Sequence, residues 1–330
     1  MLSRRSFLAG AAALPVRAAE ARPAVSLTCG EDRRANVRRA LEAIDDQVRP
    51  ALKRKKYVFL KPNCVAVNNQ LGSTHADALR GILDYLEPRF RGPVVIGDSS
   101  KDCTWDAYES FRYAALAGEY KRLRIKLVDL NEEESVAHQI VDRNLHLANV
   151  RLARRFFDPD AFILGAAILK THDNVVATLS VKNLVMAAPL HNSRREPAQW
   201  HDKYAYHAGY RQMHMNLALT ARRMRPFWGA TVIDGYEGME GEGPLRGTPV
   251  ASRVALASTD LVAADRAGLE TMGVDPAWPG YLRYCAEAGL GEYDLANIEL
   301  RAERELASVR KVYKLHPRVK RQLEWMGPLA

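Results

Sequence analysis

The sequence predicts an α/β protein in which a mostly parallel sheet is covered by helices on both faces. Short apolar runs alternate with segments of helical periodicity, the pattern of strand–helix–strand units. The apolar runs also end in polar residues, as strands do when their carboxyl ends face a ligand crevice. In chain order, Tyr57-Val58-Phe59-Leu60 runs into Lys61-Pro62-Asn63, and Pro93–Ile96 into Gly97-Asp98-Ser99-Ser100. Ile125–Val128 runs into Asp129, Ala161–Leu169 into Lys170-Thr171-His172-Asp173, and Ala230–Ile233 into Asp234-Gly235. The intervening patterns predict helices over 33–49, 77–87, 105–122, 174–187, 203–224, 259–272 and 278–288. No repeat, low-complexity stretch or linker interrupts them, so residues 22–300 read as a single α/β domain and 301–330 as a basic C-terminal extension.

Of 330 residues, 47% are apolar and 26% charged, which excludes a disordered, collagen-like or disulfide-scaffold chain. The four cysteines (29, 64, 103 and 285) form no CxxC pair, so no iron–sulfur cluster or zinc ribbon is expected. The net charge of +9 is concentrated at the ends. Residues 1–21 hold three arginines against Glu20, and residues 301–330 hold eight Lys/Arg against three Glu, leaving the body at only +2. A nucleic-acid-binding surface would spread its basic charge over the fold, so no nucleic acid partner is expected. The basic end reads as a solvated helix or as a contact for an anionic membrane or acidic partner.

The N-terminus reads as an export signal over residues 1–21. Arg4-Arg5 precede the apolar run Phe7–Val16, and Ala19-Glu20-Ala21 supplies a cleavage-type triplet. The arginine pair indicates the twin-arginine machinery, which carries folded proteins, and so a periplasmic or exported location. The run is about ten residues, short of the roughly 17 needed to span a bilayer.

The strand-end residues define the candidate site. Lys61, Lys170 and Lys182 would clamp an anion, with Asn63 and Asn183 as neutral partners and Ser99 and Ser100 beside them. Lysine is not a turn former, and clustered ammonium groups repel unless an anion joins them. Crowding also lowers a lysine's pKa, which suits a base or a Schiff-base nucleophile. Asp98, His172 and Asp234 are candidate ligands of a divalent metal. Lys170, His172, Asp98 and Glu240 are the candidate catalytic groups. In the loop GMEGEGPLRG (238–247), Gly241 and Gly243 would either let backbone approach a ligand or serve tight turns. His207 and His214 are seven apart on one predicted helix, where their flank position fits a crevice or a half-exposed boundary equally. Asp265, inside an apolar helix, needs a partner, with a lysine the candidate. Asp260 reads as a helix cap. Cys64 reads as a core residue or a thiolate near Lys61.

At these same residues the sequence resembles the family called domain of unknown function 362. The matching segments are KPNCV (61–65), GDSS (97–100), LKTHDNVVATLSVKNLV (169–185), IDGYEGMEGEGPLRGTP (233–249) and STDLVAADRAGLETMG (258–273), extending over about 57–273. Some members of that family carry a ferredoxin-like module with closely spaced cysteines, which is missing here, so the resemblance implies redox company without supplying it. Two functions follow. One is an exported enzyme acting on an anionic or metal-bearing ligand at the strand ends. The other is a non-catalytic protein that holds or delivers a cofactor for a membrane redox partner.

Overall fold

The computed structural model describes residues 22–192 and 199–328, so residues 1–21, where an export signal is expected, lie outside the described residues. The strands are β1 (Ala24–Cys29), β2 (Tyr57–Lys61), β3 (Val94–Asp98), β4 (Lys126–Asp129), β5 (Ser135–Val141), β6 (Leu147–Ala153), β7 (Ala161–His172), β8 (Val176–Thr178), β9 (Trp228–Glu240), β10 (Thr248–Val250), β11 (Val254–Ser258) and β12 (Glu299–Ala302). The helices of the first half are α1 (Arg33–Glu42), α2 (Asp45–Leu52), α3 (Ala76–Leu86), α4 (Thr104–Ser110) and α5 (Leu116–Glu119). Those of the second are α6 (Ser180–Val185), α7 (Asp202–Ala205), α8 (Tyr210–Met224), α9 (Leu261–Met272), α10 (Gly280–Glu287), α11 (Leu306–Val309) and α12 (Val319–Gln322).

Ten strands form one sheet in the order β12-β1-β11-β9-β7-β2-β3-β4, with β10 added to β9 and β8 to β7. The stretch β9-β7-β2-β3-β4 is wholly parallel. β11 runs antiparallel between β9 and β1, while β12 lies parallel to β1. β5 and β6 form a separate antiparallel ribbon.

Alternation along the strands produces two cores. Phe59, Ile163, Leu169 and Ile233 face one side, where Val181, Leu217, Leu261 and Leu282 from α6, α8, α9 and α10 cover them. Val58, Leu60, Ile96, Leu164 and Val232 face the other, against Val37, Leu52, Leu79 and Tyr108 from α1 to α4. The fold is therefore α/β with helices on both faces. Among the described residues, no helix is long and apolar enough to cross a membrane.

The topology also locates a crevice. The chain passes from β2 outward to β3 and β4, and from β7 the other way to β9. β2 and β7 are neighbours whose connections depart in opposite directions, so their carboxyl ends open onto a topological switch point.

Several predicted helices are divided. The 33–49 pattern breaks into α1 and α2, and 105–122 into α4 and α5. The 174–187 pattern opens as β8, and α8 begins only at Tyr210, so His207 and His214 do not share a helix. Residues beyond Arg301 are not a solvated helical end. Leu300 and Arg301 pair with Val25 and Ser26, and Val309, Tyr313 and Trp325 are buried. Apolar burial outweighs the basic composition there: Trp325 packs on Gly280 and donates its indole N–H to the Trp278 carbonyl at 2.9 Å.

Candidate functional site

A cleft of about 410 Å³ opens at the carboxyl ends of β2, β3 and β7. At roughly 30 Å³ per water, it has room for about a dozen waters, more than a simple inorganic anion fills. Of the residues expected at a site, Lys61, Asn63, Asp98, Ser99, His172, Lys182 and Asn183 line it, as does Cys64.

The floor is a locked ion pair. Lys61 Nζ lies 3.1 Å from Asp98 Oδ2 and donates to Asn183 Oδ1 at 2.7 Å. The Asp98 carboxylate also accepts the backbone N–H groups of Cys64 and Ser99, each at 2.8 Å. Both of its oxygens are thus occupied, which fits a positioning carboxylate better than a proton-transfer group. Burial, with the Asp98 charge beside it, holds the Cys64 thiol well above its ordinary pKa, so Cys64 is a neutral thiol.

Lys170 lies behind the cleft, fully buried, and does not line it. Its ammonium donates to the Gly72 carbonyl at 2.7 Å and to Asn63 Oδ1 at 3.1 Å. Burial, reinforced by Lys182 and Lys61, pushes its pKa well below the lysine value. It therefore orients Asn63 and cannot touch a ligand.

Lys182 sits in the short helix α6, and its ammonium has no hydrogen-bond partner among the described residues although the residue is only 7% exposed. Burial brings it down to about 8, with Asp173 opposing and Lys61 adding to the shift. Lys203, in α7, was not foreseen. It donates to Ser99 Oγ at 2.7 Å and to the Met186 carbonyl at 2.5 Å, and burial pushes it down to about 7.

Three histidines complete the walls. His172 Nδ1 accepts the Asn174 N–H at 3.0 Å, which assigns its ring proton to Nε2. His207 Nδ1 faces the Lys203 carbonyl at 3.0 Å, so it carries the proton and leaves Nε2 an acceptor. Burial first, then the Lys182 charge, depresses both imidazoles, so each is neutral. His201 stacks between His191 and Tyr204, with ring centroids 4.5 and 3.9 Å away. Three buried polar groups of the lining lack partners among the described residues: Asn183 Nδ2, Thr178 Oγ1 and the His201 ring nitrogens.

The other expected residues lie elsewhere. The metal trio does not assemble, because Asp234 is buried in an ion pair with Arg33 at 3.1 Å and lies outside the cleft lining. Among the described residues, no cluster of three or more His, Cys, Asp or Glu side chains is arranged to hold a metal ion. Glu240 is not in the lining; its carboxylate accepts the Lys314 N–H at 2.8 Å and anchors the C-terminal segment. Ser100 also lies outside, its carbonyl facing His191 Nε2 at 2.7 Å. His214 is buried between α8 and α10, where Nδ1 accepts the Tyr281 N–H at 3.1 Å. Asp265 takes no lysine: it accepts the N–H groups of Ser180 and Val181 at 2.7 and 3.0 Å. Asp260 caps α9 as expected. Gly241 and Gly243 do not line the cleft. A Cβ on Gly243 would stand 2.1 Å from the Thr171 carbonyl, so the loop packs backbone against β7 and delivers Pro244 and Leu245 to the cleft wall.

Lys203 and Tyr204 were missed, whereas His207 was one of two residues whose flank position fitted a crevice. The sequence reads as one long helix over 203–224, with His201 before it. Asp202 instead binds Arg151 at 2.9 Å and folds the segment over the cleft. Its density of titratable groups was the available signal.

A family model described as domain of unknown function 362 matches residues 58–270, close to the span carrying the motifs. A thylakoid-associated protein of Synechocystis sp. is 29% identical over 223 residues, 67% of this chain. The chain spans 64% of that relative's length. A solved protein from Thermotoga maritima aligns at 8% identity and a TM-score of 0.37, over 79% of this chain and 60% of that one.

Proposed function

The chain belongs to the family described as domain of unknown function 362, and from that premise we propose that it binds a small organic anion at the β2–β7 crevice and acts on it as an enzyme. One observation carries this reading: Lys182 and Lys203 are buried at the cleft with no carboxylate bonded to either ammonium. A buried ammonium without a counter-charge is costly, and an anion removes that cost. The unpartnered Asn183 Nδ2 offers a neutral donor to the same ligand. His172 Nε2–H and His207 Nε2 supply a neutral acid and a neutral base for proton transfer.

The test is calorimetric titration with glyoxylate, pyruvate, phenylpyruvate and inorganic phosphate. At least one of the carboxylates binds, and Lys203→Met, which keeps the stem and removes the charge, weakens it about tenfold or more, as expected for a lost charge-assisted contact. Equal affinity in the wild type and the variant counts against the reading.

The same proposal includes location: the chain works after export through the twin-arginine machinery, on the strength of Arg4-Arg5 and the apolar run that follows. A second reading, a protein that holds a cofactor for a membrane redox partner, is favoured by the thylakoid-associated relative alone. Turnover of the bound anion by the purified protein, without a partner, separates the two.

A further inference from the structure

We propose that the Lys182 amine is a covalent anchor, condensing in the cleft with the carbonyl of a small keto or aldehyde acid to form an imine. The proposal rests on the anion-binding reading for the acid group of that substrate and adds the carbonyl.

Elimination among the lysines carries it. Lys61 is committed to Asp98 and Asn183, at 3.1 and 2.7 Å. Lys203 is held by two oxygen acceptors, Ser99 Oγ and the Met186 carbonyl, and such acceptors stabilise the ammonium rather than the free amine. Lys170 is bonded to Asn63 and Gly72 and does not reach the cleft. Lys101 stands exposed at the mouth rather than buried in the cleft. Lys182 alone combines burial, cleft access and a nitrogen with no hydrogen-bond acceptor among the described residues. A lysine becomes a nucleophile at neutral pH when it is desolvated near another cation, and Lys61 supplies that cation.

The remaining lining suits the reaction. Attack on the carbonyl carbon forms the C–N bond of a carbinolamine. Its dehydration then needs an acid to protonate the departing hydroxyl and a base to take the nitrogen's proton. His207 Nε2 takes the nitrogen's proton and, as imidazolium, returns it to the departing hydroxyl, while the His172 Nε2–H donates a hydrogen bond to that oxygen. In sum, C=N replaces C=O, and the oxygen leaves as water with the two amine hydrogens; no oxidant or reductant is consumed. Asn183 Nδ2 and Thr178 Oγ1, buried without partners, are positioned on the lining to receive the acid group. With about 410 Å³ available, acids larger than pyruvate fit.

Borohydride trapping tests this. The full-length protein is incubated with glyoxylate, pyruvate or phenylpyruvate, reduced with sodium borohydride, and mapped by peptide mass spectrometry. The expected result is a reduced adduct on Lys182 with at least one of the three acids, absent with lactate and absent in Lys182→Met. That variant removes a buried charge whose desolvation outweighs the Asp173 attraction, so it melts no lower than the wild type. Calorimetry on the same samples distinguishes the two ways of failing. A keto acid that binds reversibly but leaves no adduct overturns the imine while anion binding stands. An adduct confined to Lys203, Lys61 or surface lysines overturns it as well. Neither binding nor adduct with any of the three acids overturns both readings.

Discussion

Lys182 and Lys203 leave water without gaining a bonded carboxylate, and the arrangement has a pH signature. Their pKa values of about 8 and 7 lie below the roughly 10.4 of an unfolded lysine. Between about pH 7 and 10 the unfolded chain therefore binds more protons than the folded one, and stability rises with pH in that window. Burial sets the low position of Lys203, which Asp98 and Asp129 oppose and Lys61 and Lys182 reinforce. The melting temperature of the ligand-free protein should climb from pH 7 to 8.5, and Lys203→Met should flatten the climb. Affinity for an anion without a carbonyl, such as lactate, should move the opposite way, falling as pH passes 7 to 8, because the Lys203 ammonium holds it. A lactate affinity that is flat or rising over pH 7–9 would refute the assignment. Seven site residues were legible because they stand at strand ends or open a helix after one: Lys61, Asn63, Asp98, Ser99, His172, Lys182 and Asn183. Lys203 was not, and His207 was legible only as one of two equal alternatives, because their approach to the cleft depends on the Arg151–Asp202 pair, a contact between distant segments that no local pattern encodes.

At the scale of the element, α6 is the piece on which the site turns. Six residues are too few to hold a helix by propensity, and its own N-cap residue, Leu179, offers no side-chain acceptor. The carboxylate of Asp265, reaching across from α9, accepts its first two free N–H groups. Burial raises Asp265 to about 7 although those bonds pull it down. Asp265→Ala should leave two buried donors unsatisfied and cost about 2–5 kcal/mol. Asp265→Asn, keeping one acceptor, should cost less. Both should weaken binding of the keto acids by displacing Lys182 and Asn183. Urea unfolding and calorimetry read the two effects, and an Asp265→Ala protein as stable as the wild type would refute this role. The strands predicted from sequence, β2, β3, β4, β7 and β9, are the five consecutive parallel ones, each an apolar run ending in polar residues. β1, β11 and β12 were not foreseen: they join the sheet through antiparallel or edge pairings without that strand-then-helix spacing.

For the whole molecule, the prediction concerns location. If residues 1–21 direct twin-arginine export, then Arg4→Lys with Arg5→Lys should retain folded, ligand-competent protein in the cytoplasm of an exporting host. Fractionation with an activity-independent tag reads this, and unchanged export of the double variant would refute it. The rest of the chain bears on why a folded cargo makes sense. Asp173, on the cleft wall, faces Arg318 at 3.4 Å, and the Val176 N–H donates to Gln322 Oε1 at 2.7 Å. Lys314 ties to Glu240 and its carbonyl accepts the Gly241 N–H at 2.6 Å, bracing the loop that carries Pro244 and Leu245. Synthesis runs from the N-terminus, so β2, β3 and β7 emerge long before these braces. A ribosome-bound chain that has reached β12 already has every strand of the sheet, yet its cleft rim is still untied. The binding site is thus finished only after the last strand of the sheet has emerged, and a ligand that requires the braced rim tests for a chain made at least as far as Gln322.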